Sequence, residues 1–202
     1  MPPKPKFTRE EIVKAALGIA ADKGLKALTS RELGAALGSS ARPIFTVFSS
    51  MSEVLEEVRK AALAEFASYA KKAEGFTPIF KQVGLQMILF AAEQPKLYRL
   101  IYMSEKPEAK SFEDVFNHLG DVAVQCVDII QKDYGLSYSE AKKLFMHTWI
   151  YTYGIGALIA TGMCKFSPDE VQDMLSCEFV AMLTLIKSGK AKDCTTIPKK
   201  ES

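Results

Sequence analysis

The stretch Thr29 to Phe48, TSRELGAALGSSARPIFTVF, most limits what this chain can fold into, because it writes a helix start, a glycine stop and a second helix start in close succession. Thr29 and Glu32 stand at the spacing of a capping box. In that motif the hydroxyl takes one orphan N–H of the first turn and the glutamate reaches back to the cap. A helix is therefore expected from Ser30. Leu33, Ala36 and Leu37 give it one apolar side and leave Arg31 and Glu32 outside. Gly38 can end it in the left-handed conformation. Ser39 and Ser40 can then cap a second helix on which Ile44 and Phe48 point the same way, with small Ala41 letting the two helices approach. Its outer side carries Ser39, Ser40, Arg42, Pro43 and Thr46. A helix-turn-helix has this plan, its second helix entering a major groove while the first crosses the backbone. An ordinary helical hairpin has the same spacing, and both readings stand at this point.

Further helix starts set the order around that stretch. Thr8 and Glu11 form a second box, opening a helix whose buried side is Ile12, Ala15, Ala16, Ile19 and Ala20 and which Gly24 closes. Leu25 and Leu28 cover the loop into the motif. Ser50 and Glu53 form a third box. Val54, Leu55, Val58, Ala62, Phe66 and Tyr69 then line one side of a connecting helix that ends near Gly75.

Charge divides unevenly. Residues 1 to 50 hold eight Lys or Arg against four acids, while the rest of the 202-residue chain holds 18 against 20. A small basic unit on a near-neutral body suits phosphate binding by the former. The 48% hydrophobic content is ample for a packed core. The opening MPPKPKF has no apolar run, so no signal peptide and a cytoplasmic location are expected. Trp149 to Cys164 is too short and too polar to cross a bilayer, and no membrane partner is expected.

With these residues in view, the N-terminal part resembles the TetR family of transcription regulators. The resemblance rests on the run from Gly24 to Gly34 (GLKALTSRELG), Ala36 to Ser40 (ALGSS), the aromatic pair Phe45 and Phe48, and the S-x-x-E-V-L opening of the next helix. It implies an all-α fold: an N-terminal three-helix helix-turn-helix domain on a larger helical ligand-binding and dimerisation domain. The boundaries follow as 1–50 for the DNA-binding domain, 51–74 for the connecting helix, 75–190 for the effector-binding and dimerisation domain, and 191–202 for a flexible tail. The implied partners are a double-stranded, pseudo-palindromic DNA operator, a small-molecule effector that releases it, and a second copy of the chain. The implied role is that of a repressor.

The DNA-facing candidates are Lys6, Thr29, Ser30, Arg31, Ser39, Ser40, Ala41, Arg42, Pro43, Phe45, Thr46 and Val47. Three positions depart from the family's habit. Phe45 stands for a tyrosine, Val47 for a polar residue and Met51 for a lysine, which removes three usual phosphate partners. Arg42 and the Lys4/Lys6 arm are candidates to compensate. Phe45 and Val47 are expected to pack on the first motif helix, with contact to thymine methyls the alternative. A helical ligand-binding dimer without specific DNA binding is the competing reading of the whole chain.

The body reads as helices throughout. A first stripe holds Ile79, Phe80, Val83, Met87 and Phe90, and a short aromatic helix spans Leu97 to Met103. Val115 to Ile130 reads as one helix ending near Gly135. Another starts at a Ser137/Glu140 box and runs to Gly162, and a last one starts at Ser167-Pro168-Asp169-Glu170. The last two have more apolar surface than one core needs. Self-association is expected to cover it, with complete burial within a monomer the alternative; the family resemblance implies a two-fold four-helix interface, with Gly154, Gly156, Ala157 and Ala160 permitting close approach and Met182 facing outward. The pocket candidates are Phe80, Met87, Phe90, Tyr98, Tyr102, Phe116, Trp149 and Tyr153. No metal site is expected from His118 and His147, which lack carboxylate or cysteine at ligand spacing. The four cysteines lack a CxxC pair and read as reduced thiols. No nucleophile elbow or phosphate loop occurs, so neither catalytic residues nor a cofactor are expected.

Overall fold

The computed structural model describes residues 5–73, 79–104 and 110–190, Ile79 by its backbone alone. All regular structure among them is helical. The α-helices are α1 (Arg9–Lys23), α2 (Ser30–Ala36), α3 (Met51–Lys71), α4 (Ile79–Glu93), α5 (Pro95–Tyr102), α6 (Phe112–Leu119), α7 (Asp121–Tyr134), α8 (Tyr138–Ala160) and α9 (Pro168–Lys187). Two short 3-10 turns, Leu25–Ala27 and Arg42–Thr46, interrupt the N-terminal part. Expectations that touch Lys4, Gly75, Pro107, Cys194 and the tail after 190 lie outside the described residues.

Residues 5–73, 86–104 and 156–165 pack as one compact unit and 79–85, 110–155 and 166–190 as another, so the boundary falls inside α4 and again inside α8. In the first unit α1 buries Ile12, Ala16, Ile19 and Ala20, and α3 buries Val54, Val58, Ala62 and Tyr69. The Thr8/Glu11 box is complete. A capping hydroxyl of this kind stabilises its helix by about 1 kcal/mol. Leu97, Tyr98, Leu100 and Ile101 supply the buried face of α5. Tyr98 is wholly buried and its ring lies against Gly156, where an added Cβ would stand 2.6 Å from Tyr98 Cζ.

The second unit is built on Phe116, Ala123, Cys126, Val127, Ile130, Leu136, Ala141, Leu144, Phe145 and Ile186. Its two buried threonines need no outside partner. Thr148 Oγ1 donates to Leu144 O at 2.8 Å and Thr152 Oγ1 to Thr148 O at 2.7 Å. The Ser167/Pro168/Glu170 start forms as expected, with Glu170 N donating to Ser167 Oγ.

Two expectations need correction. The single helix expected across Val115 to Ile130 is two, because Gly120 takes φ +61 and ψ −146 and breaks the helical path. A Ser111/Asp114 box starts the first piece. The stripe of small residues on α8 is not one outer face. Gly156 and Ala160 are buried within the first unit, whereas Gly154 and Ala157 are only half-buried. Met182 likewise packs partly on the core of the second unit, and large apolar side chains that do face out include Tyr138 and Ile150 on α8 and Val180 on α9.

Candidate nucleic-acid interface

Local chemistry sets the turn of the motif. Thr29 Oγ1 accepts from Glu32 N at 3.1 Å and starts α2. The reciprocal half of the expected box is absent. Thr29 N already donates to Ala27 O, and the Glu32 carboxylate pairs instead with Lys23. At the other end Gly38 stands at φ +63, Ser39 N donates to Gly34 O at 2.9 Å and Gly38 N to Ala35 O at 3.0 Å. That pattern closes the last turn with a left-handed residue. Gly34 matters in a way the apolar spacing did not signal: an added Cβ would lie 2.8 Å from the Ser40 carbonyl carbon. The chain after the turn therefore passes directly over α2. Leu33 is buried, while Ala36, expected on the apolar side, is exposed.

The second helix of the motif is a 3-10 turn over Arg42–Thr46, not a helix capped by Ser39 or Ser40, and no side chain caps it. Its composition explains this. Pro43 has no N–H, Ile44, Thr46 and Val47 are β-branched, and Thr46 Oγ1 donates to Pro43 O at 2.7 Å, a local bond that competes with regular helix. Two fully buried side chains, Ile44 and Phe48, anchor the turn to the unit. Ser40, Arg42, Phe45 and Thr46 are exposed, and Ser39, Ala41, Pro43 and Val47 are half-buried. Phe45 was expected to pack on α2; at 46% exposure it faces outward.

The bonds of the exposed basic residues decide which are free for phosphate. Arg9 bridges Glu53 at 2.9 Å and Glu57 at 3.4 Å, Lys23 is paired with Glu32, and Arg59 and Lys60 are paired along α3. Among the described residues neither Arg31 nor Arg42 forms an ion pair with a carboxylate within 4.0 Å, and both are exposed. Lys6 Nζ donates to Ser39 Oγ at 3.0 Å, which brings the N-terminal arm onto the turn and leaves the serine proton free for an outside acceptor. Thr29 is exposed and Ser30 half-buried beside Arg31.

A buttress behind the turn escaped sequence reasoning. The Arg9 guanidinium lies 4.3 Å from the centroid of the Phe48 ring while its N–H groups hold Glu53 and Glu57. Glu53 in turn accepts from Ser49 N and Ser49 Oγ, each at 2.8 Å, not from Ser50 as a simple box requires. Ser49, then Arg9, hold the Glu53 carboxyl down at about 2. The only sequence signal was the second hydroxyl beside Ser50.

Residues 12–58, which span α1, the turn and the start of α3, match the family model described as "Bacterial regulatory proteins, tetR family". Residues 12–58 thus carry the sequence pattern of a TetR-type N-terminal domain. The remaining helices extend the likeness as fold. A TetR-like transcriptional regulator from Rhodococcus sp. RHA1 superposes with a TM-score of 0.61 at 13% identity, over 93% of this chain and 100% of that one. The TetR family protein ActR of Streptomyces coelicolor, solved in complex with (S)-DNPA, gives 0.51 at 15% identity, over 90% and 99%. No curated protein matches the chain. The exposed turn lies within the matched stretch, and Arg31, Ser40, Arg42, Phe45 and Thr46 are exposed on it.

The pocket candidates divide between the two units. Phe90 packs with Phe66 at 5.5 Å and Tyr69 at 5.1 Å, and Tyr98 with Tyr102 at 4.8 Å; Met87 is buried in the same unit. Burial pushes the Tyr102 phenol far above its ordinary range. In the other unit Phe80 lies between Phe145 and Phe179, Phe116 meets Phe145, and Trp149 stacks on Tyr153 at 5.5 Å. A groove of about 320 Å³ on the first unit is lined by Arg9, Val13, Lys14, Leu17, Glu57 and their neighbours, and by none of the eight. Among the described residues no group of three metal-binding side chains occurs, and no helix is long and apolar enough to cross a membrane.

Proposed function

We propose that this chain is a TetR-family transcriptional repressor that binds a pseudo-palindromic operator as a homodimer and is released by a small-molecule effector. The observation that carries the reading is the recognition turn itself: Arg42 exposed and, among the described residues, without an acidic partner, flanked by the exposed hydroxyls of Ser40 and Thr46, on a backbone pinned by buried Ile44 and Phe48. A side chain so placed reaches phosphate or a base edge at no cost in broken ion pairs. Lys6, Thr29, Ser30 and Arg31 extend the surface along the arm and the start of α2, where contact is with backbone phosphates. Ile150 and Val180 supply the apolar surface for a second copy.

Release by an effector is a matter of differential affinity. The effector must prefer the dimer state in which the two recognition turns do not match successive major grooves. Aromatic residues of the two clusters, Phe80, Met87, Phe90, Tyr98, Tyr102, Phe116, Trp149 and Tyr153, are the candidates to meet it.

Mobility shift of the DNA flanking the protein's own gene, at several salt concentrations, tests the DNA reading. Arg42→Ala should leave the thermal midpoint unchanged and weaken binding. If Arg42 meets a phosphate the loss is uniform across sequences and the salt slope falls by about 1; a base contact costs about 1–3 kcal/mol at one position. Unchanged affinity at every salt concentration rejects both roles. A wild-type dimer that prefers no sequence supports the competing reading, a ligand-sensing dimer, to which the loss of phosphate donors at Phe45, Val47 and Met51 points.

A further inference from the structure

We infer that Phe45 makes operator recognition depend on a pyrimidine C5-methyl group in the major groove, so that the protein reads thymine and 5-methylcytosine alike and separates both from unmethylated cytosine. The inference rests on the DNA-binding reading above. Its starting point is a contrast within one turn: Ile44 and Phe48 are buried to 0% and 1%, while Phe45 between them is 46% exposed. Sequence alone favoured packing of Phe45 on the first motif helix, with thymine-methyl contact the alternative. The turn instead presents it beside exposed Arg42 and Thr46, and among the described residues its ring meets no other aromatic ring and no cation.

A ring in that position can neither donate nor accept a hydrogen bond, so it cannot serve the phosphates, and leaving it in water forfeits its burial energy. Within a major groove the edges of the four base pairs are nitrogen and oxygen groups with a single apolar exception, the C5-methyl of thymine. Cytosine lacks that methyl, and 5-methylcytosine carries it on the same ring carbon. Polar neighbours narrow the position further. Thr46 has committed its proton to Pro43 O, which leaves Arg42 and the hydroxyls of Ser39 and Ser40 as the donors that hold the turn to the DNA while Phe45 covers the methyl. Burial of one methyl-sized group is worth about a four-fold change in affinity per half-site and about fifteen-fold for two symmetric half-sites.

The test uses the full-length protein and a randomised double-stranded DNA library. A sequence enriched by binding is resynthesised with uracil for thymine, one symmetric pair at a time. It is also made as a cytosine variant at the sensitive pair, with and without the 5-methyl group. The expected result is one symmetric pair at which uracil costs about four-fold per half-site, and at which 5-methylcytosine binds tighter than cytosine by the same factor. Phe45→Ala, at an exposed position, should keep the wild-type thermal midpoint and lose both sensitivities. An enriched sequence on which uracil is silent everywhere, or on which the variant stays equally sensitive, overturns the inference and leaves the DNA-binding reading intact. A library with no enrichment overturns the DNA-binding reading and the inference with it.

Discussion

At the scale of single residues, the recognition turn is held by a relay that begins on α1. Arg9 covers the Phe48 ring with its guanidinium and fastens Glu53, and Glu53 takes both the N–H and the hydroxyl of Ser49. The charged groups are partly open to solvent, so each pair is screened; together they limit where buried Phe48, and so the turn before it, can sit. Because Ser49 and Arg9 favour the ionised carboxylate, the Glu53 value in the folded chain is near 2 instead of 4.5. A group depressed in this way stabilises the fold fully above its ordinary value and progressively less as pH falls toward its folded value. Glu53→Gln should therefore lower the thermal midpoint of the wild type above about pH 4.5, and the difference should close between there and about pH 2. Thermal unfolding of the two proteins across that window is the check, and a pH-independent difference would show that the carboxylate charge plays no part. Glu10, Glu32, Asp114 and Glu170 are depressed in the same direction but are common to both proteins and cancel in the comparison, whereas Glu57 shares Arg9 with Glu53 and responds to the substitution with it.

At the scale of elements, glycine decides where helices approach and where they break. Gly34 lets the chain after the turn cross α2, Gly120 divides α6 from α7, and Gly156 lets the ring of Tyr98 lie on α8. The last of these is the cleanest to test, because Gly156 is helical and its neighbour is a fully buried ring and not a flexible chain end. Gly156→Ala should destabilise by about 1–3 kcal/mol through overpacking. For a chain of this size that is a fall of several degrees, at about 2–4 °C per kcal/mol. Gly18 is the internal contrast: it is helical too, with nothing within 4 Å of an added Cβ. Gly18→Ala should stabilise by about 0.5–1 kcal/mol from the backbone alone. Calorimetry of the two variants separates a packing role for Gly156 from a generic effect of removing glycine from helices; equal behaviour would remove the packing role.

For the molecule as a whole, the apolar side chains that α8 and α9 leave outside predict association. Ile150 is 49% and Val180 59% exposed on neighbouring helices in chain order, both within the second unit. A glutamate at either place adds a charge that a dimer interface would have to desolvate unpaired. Ile150→Glu and Val180→Glu should each convert a dimer into a 22.3 kDa monomer and abolish operator binding, since one half-site alone holds poorly. Sedimentation velocity with a parallel mobility shift reads both effects. A wild-type chain that already sediments as a monomer at micromolar concentration would sink the dimer proposal.

Local chemistry was legible in the sequence wherever one residue type has one physical use. The hydroxyls and glutamates at three-residue spacing marked the starts of α1, α8 and α9, positive-φ glycine marked the end of α2, and three-to-four spacing marked the cores of α1 and α3. The order of those signals also carried the family, because a capped helix, a glycine turn and an anchored second element must follow one another to build the motif. Tertiary structure decided everything that depends on which of several permitted partners a group takes. Glu32 went to Lys23 and not to its cap, Phe45 turned outward where Ile44 and Phe48 turned inward, and Gly156 met Tyr98 and not a second copy. In each case the local energies of the alternatives are close, about a kcal/mol or less for an exposed pair. Packing of the neighbouring elements, which one-dimensional spacing does not contain, tips the choice.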